Sequence, residues 1–144
     1  MSRLRSWMRM SGAQRRSLVA AGAAVAAVRV LLWILPYRAV RALVHGTAMA
    51  PRDRAPSSPS TAERIARDVE RAARVVPCAT CLVQALAGEW LIVRAGAPVG
   101  LEYGVTWGER GIEAHAWLVS GDRVILGGEE AARFTPLRGR PGPS

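Results

Sequence analysis

The hydrophobic period of this chain changes once, between Arg94 and Leu101, and that change limits what it can fold into. Up to Arg94 the apolar residues recur at helical spacing, and from Leu101 onward they alternate. Leu101, Tyr103, Val105 and Trp107 are interleaved with Glu102, Gly104 and Thr106, and Gly108-Glu109-Arg110-Gly111 reads as a turn. Ile112, Ala114, Ala116 and Leu118 then point one way, and Glu113, His115, Trp117 and Val119 the other. Ser120-Gly121-Asp122 turns the chain again into a short third strand, Arg123–Leu126. Helices followed by an antiparallel meander give an α+β chain: N-terminal helices, then a helix packed on a small antiparallel sheet.

The helical part divides into segments. Residues 1–16 are basic and without period, and an apolar helix over 17–35, interrupted by Arg29, ends at Pro36. That helix can lie against the protein or a membrane surface, cross a membrane, or belong to a signal segment. A charge at the position of Arg29 costs a membrane-spanning helix about 2.5–3.5 kcal/mol, which favours the first reading. Tyr37–Met49 continues as a short helix with His45 on its surface, and Ala50–Pro59 reads as a linker. Ser60-Thr61-Ala62-Glu63 is a capping-box signature opening an amphipathic helix. Its apolar face carries Ile65, Ala66 and Val69, and its charged face, including Arg64, Asp68 and Arg71, is expected in solvent; Pro77 ends it. The expected organisation is a basic helical region over 1–56, a domain over 57–138 and a tail over 139–144.

Charge is unevenly distributed. All 20 cationic residues are Arg; residues 1–60 hold 10 of them against one acid, Asp53, whereas residues 61–144 balance 10 with 10. A basic first third suits an acidic partner or an anionic membrane surface. It lacks helix-turn-helix or zinc-finger spacing and interleaved aromatics, so nucleic acid is not the expected partner.

Cys78 and Cys81 form a Cys-x-x-Cys pair. A zinc site needs a second ligand pair, and the chain offers only His45 and His115, far apart in sequence. A thioredoxin-like pair should follow a strand, whereas a helix precedes this one. Cys81 opens the helix Cys81–Arg94, with Thr80 as N-cap and Gly96 as the stop. A thiol there meets unsatisfied backbone N–H groups that favour the thiolate, and an imidazole adds to this. His115 on the central strand supplies one if that strand's outer face meets the helix start. Cys78 lies in the preceding loop, without that advantage. Taken singly, Cys81 also reads as a small buried hydrophobe and His115 as a sheet histidine.

Cys81-Leu82 with Ala85-Leu86, Arg94-x-Gly96, Gly104-Val105, Ala114-His115-Ala116-Trp117 and Gly121 together resemble the leader peptidases of lasso-peptide biosynthesis, in their free-standing form. That family lies in the transglutaminase-like superfamily of papain-like cysteine proteases, and the resemblance covers about residues 61–137. It implies cleavage of a precursor peptide at its leader–core junction, with Cys81 attacking the carbonyl and His115 protonating the leaving amine. It also implies no cofactor, a small leader-recognition partner protein, a lasso cyclase, and a cytoplasmic site of action, at the inner membrane face if the apolar helix holds it there. The acid that commonly orients the imidazole in that family falls at Gly127. Asp122 is the favoured substitute and Glu129 the alternative, with a backbone carbonyl as a further candidate. An acyltransferase and a non-catalytic membrane-surface scaffold are the competing functions.

Overall fold

Side-chain caps and prolines set the helix boundaries. The computed structural model describes residues 2–48 and 57–137. Ser11 and Gln14 form a reciprocal capping box, with bonds of 3.2 and 3.0 Å, so helix α2 (Gly12–Ile34) begins earlier than the apolar run alone predicts. The segment expected to be irregular also contains a short helix, α1 (Ser2–Met8). Arg15 of α2 donates to the carbonyls of Trp7 and Met8 and so satisfies the end of α1. Pro36 separates α2 from α3 (Tyr37–Ala48).

Helix α4 (Pro59–Ala73) starts on Ser58 with Pro59 in its first turn. The Ser60–Glu63 capping box is therefore not the start, because proline, whose φ is already helical, takes that place. Asp68 is another correction. Far from lying on a solvated face, it is buried and accepts a 2.5 Å hydrogen bond from Ser17 Oγ of α2. Of the expected linker, Ala50–Pro59, residues 50–56 lie outside the described residues, as does the tail over 139–144, while Ser58 and Pro59 already cap and open α4.

Helix α5 (Cys81–Arg94) passes into β1 (Gly100–Gly108) through Gly96, whose φ of +83° glycine adopts readily. β2 (Gly111–Ser120), β3 (Arg123–Leu126), α6 (Gly128–Ala131) and β4 (Thr135–Pro136) complete the chain. The sheet is antiparallel in the order β3-β2-β1-β4. β4 had no sequence signal, being two residues long and containing Pro136.

The fold is α+β: one hydrophobic core joins α2, α3, α4 and α5 to one face of the sheet, with Val25, Val40, Val69, Leu86, Ile92 and Leu118 fully buried. Gly88 sets the contact between α5 and the sheet, since a Cβ there would stand 2.8 Å from Leu118 Cδ1 and 3.4 Å from Leu126 Cδ1. On the other side of α5, buried Glu89 is paired with Arg41 of α3. Nearby, Tyr37 and Tyr103 meet edge to face and share a hydrogen bond between their hydroxyls. Burial, and then that bond, push the Tyr103 hydroxyl above its usual range.

Candidate active site

Thr80 is extended, and its side chain accepts from the N–H of Val83 at 3.4 Å while its carbonyl accepts from Gln84 at 3.0 Å. This cap starts α5 at Cys81 and leaves the N–H groups of Cys81 and Leu82 without intrahelical acceptors. Gln84, one turn on, donates to the carbonyl of Ala79 at 2.9 Å and ties the helix start to the loop before it. Cys81 is a half-buried free thiol.

A cleft of about 390 Å³ opens over this helix start. Cys81 and Gln84 form one wall, Glu70 of α4 and its C-cap Arg74 a second, and His115, Gly127, Glu129 and Glu130 a third. His115 is 7% exposed. Its ring stacks with Trp117 and with Phe134, at centroid distances of 5.9 and 5.0 Å. Trp117 is in turn fixed by a 3.1 Å bond from Nε1 to Glu102. Ala116 and Leu118 belong to the helical core, whereas the imidazole shares its surroundings with Trp117 and Phe134. The strand thus meets α5 through its alanine and leucine face, not through the histidine face anticipated from the sequence, and the imidazole reaches the cleft beside Gly127.

The imidazole is anchored through one nitrogen. Nε2 lies 3.0 Å from the carbonyl oxygen of Gly127. A carbonyl can only accept, so Nε2 carries the hydrogen, and in the neutral ring Nδ1 holds the lone pair that can accept a thiol's proton and, once protonated, donate it to a leaving amine. Oε2 of Glu130 stands 3.7 Å from Nδ1, at ion-pair distance for a protonated ring. Among the described residues the imidazole's hydrogen bond is to Gly127 and not to Cys81.

Of the remaining sequence candidates, Glu129 alone lines the cleft. Asp122 is exposed in the β2–β3 turn, at the opposite end of β3 from Gly127, and does not line the cleft. Glu129 lines it, but the acid beside the ring is its neighbour Glu130. Only the one-turn helix α6, which the sequence pattern did not reveal, carries Glu130 back toward the histidine. Cys78 is exposed in the loop before α5 with φ +57°, a left-handed conformation, and is absent from the cleft lining. His45 is exposed on α3.

A sequence model of the transglutaminase-like superfamily matches residues 23–139, a span that begins within α2 and contains both Cys81 and His115. No curated protein and no solved structure matches the chain.

Proposed function

As the chain belongs to the transglutaminase-like superfamily, with a cysteine-protease or acyltransferase type of function, we propose that it is a cysteine peptidase that removes the leader from a lasso-peptide precursor. The observation that carries the catalytic reading is the shared cleft: Cys81 enters it on a capped helix start and His115 on a strand, its Nε2 held by Gly127. The lasso assignment rests on the resemblance around Ala114-His115-Ala116-Trp117.

In this reading Cys81 Sγ adds to the scissile carbonyl after its proton passes to Nδ1 of His115. The backbone N–H of Cys81, with no helical acceptor, donates to the oxyanion. The tetrahedral intermediate collapses as the imidazolium protonates the departing amine, leaving a thioester. Water, deprotonated by Nδ1, then releases the carboxylate of the leader and regenerates the thiol. The third member is split between the Gly127 carbonyl, which orients the ring, and Glu130, whose charge faces the imidazolium; Asp122 has no part in it. A leader-recognition protein delivers the precursor and a lasso cyclase takes the product.

The test is cleavage of a lasso-type precursor by the chain together with its leader-recognition partner, followed by mass spectrometry. Cleavage at the leader–core junction that disappears in Cys81→Ala is the expected result, and intact cleavage by that variant would falsify the proposal. Adding a primary amine separates hydrolysis from acyl transfer: a product bearing the amine assigns the chain to the second chemistry.

A further inference from the structure

Helix α2 is apolar on both of its faces, and among the described residues only one of them is covered by protein. Ala21, Ala24, Val25 and Val28 are buried against the core. On the opposite side Val19, Ala23, Ala26, Val30 and Trp33 recur at alternating spacings of four and three, flanked by Ala20, Ala27 and Ile34, and every one is exposed. Trp33 is 80% exposed, Ile34 65% and Val19 58%. The stripe runs about 22 Å along the helix at 1.5 Å per residue and contains no polar side chain. Beside it an apolar trough of about 630 Å³ is lined by Ala20, Ala23, Ala27, Leu43 and Trp90. Contiguous exposed apolar surface of this kind marks a docking face.

Charge identifies the occupant. Arg15 and Arg16 stand at the N-terminal end of the stripe and Arg29 on its flank, and the first acidic residue of the chain is Asp53. Helix α1 extends the pattern, with exposed Leu4, Trp7 and Met8 at helical spacing beside Arg5 and Arg9. Two copies joined through this face would bring arginine rims together without a compensating carboxylate, whereas anionic headgroups complement them. Tryptophan at both ends, Trp7 and Trp33, suits the water–hydrocarbon boundary. Crossing the bilayer is a different matter, because α2 would have to abandon its buried residues and the Ser17–Asp68 bond.

We propose that α2, with α1, docks flat on an anionic lipid bilayer, its exposed stripe in the headgroup–acyl boundary and its opposite face still packed on α4 and α5. The proposal is independent of the catalytic reading. It leaves the cleft open, since the cleft is lined from α4, α5, β2, β3 and α6 and no residue of α2 lines it.

The experiment is flotation of the full chain with vesicles of phosphatidylcholine alone or with roughly one-third phosphatidylglycerol, over a range of salt. Binding at least about tenfold stronger on the anionic vesicles, weakening as salt rises, is expected. The double substitution Val30→Glu/Trp33→Glu should reduce it by about tenfold or more while far-ultraviolet circular dichroism is unchanged. If that variant misfolds, Arg9→Gln/Arg16→Gln should lower binding at low salt without touching the apolar face. Equal binding to neutral vesicles, resistance to high salt, or indifference to both double variants would overturn the proposal. So would a dimer in sedimentation that Trp33→Glu disperses, with no binding to vesicles.

Discussion

The carbonyl oxygen of Gly127 lies 3.0 Å from Nε2 of His115 and does the orienting that a side-chain acid could otherwise do. A backbone acceptor fixes the tautomer as well as a carboxylate can, and it adds no charge of its own. The charge comes from Glu130, at 3.7 Å on the other nitrogen.

Substitution of Gly127 should therefore disable the site through the backbone. Its φ is +78°, and a Cβ there would stand 3.2 Å from His115 Nε2, Ala116 O and Trp117 Cβ. Gly127→Ala is expected to cost about 1–2 kcal/mol of stability and to lower the cleavage rate by at least about tenfold. Thermal melting and single-turnover cleavage check the two parts separately; a variant cleaving at the normal rate would remove the orienting role.

Glu130→Gln keeps the shape and removes the charge facing Nδ1. An ion pair worth about 1 kcal/mol in a half-open cleft predicts a fall of roughly fivefold in the cleavage rate constant. Asp122→Asn, in the exposed turn, should stay within about twofold of the native rate. The opposite ranking of these variants would return the role of third member to Asp122.

Iodoacetamide should label Cys81 in preference to its neighbour in the native site, even though Cys78 is the more exposed thiol. His115→Ala should slow the labelling of Cys81 and leave that of Cys78 unchanged, because the imidazole shares a cleft with Cys81 alone. Peptide mapping after a timed pulse measures both. Equal, histidine-independent labelling of the two thiols, repeated with leader peptide and partner bound, would favour the scaffold.

Arg41→Met should destabilise the protein by about 3 kcal/mol, because it leaves the buried Glu89 carboxylate uncompensated. The double variant Arg41→Met/Glu89→Leu should recover most of that loss. Urea denaturation of the single and double variants gives the comparison, and an unchanged midpoint in Arg41→Met would show the pair to be energetically idle.

Much of this was legible in the residues, for identifiable reasons. Thr80 before Cys81, Gly96 after Arg94 and the alternation from Leu101 are local signals, and local chemistry decided those elements. Cys81 and His115 could be named because the chain has two cysteines and two histidines. What escaped was settled by tertiary contact. Asp68 looks like any surface acid until Ser17 arrives from α2. Glu130 becomes a neighbour of the imidazole only because α6 turns back beside β2, and a one-turn helix leaves no period to read. The face that β2 turns to α5 depends on how the sheet docks, which alternation alone leaves open.

Gly88 gives α5 a fulcrum. There α5 rests closely on Leu118 and Leu126, about 10 Å along the axis from Cys81. Side-chain bulk added there would lift the helix from the sheet and swing the thiol relative to an imidazole fastened to the sheet itself. The spacing of Cys81 and His115 is thus adjustable from a residue that lines no part of the cleft, and slow or temperature-sensitive variants of this protein should be sought at that fulcrum as readily as around the cleft.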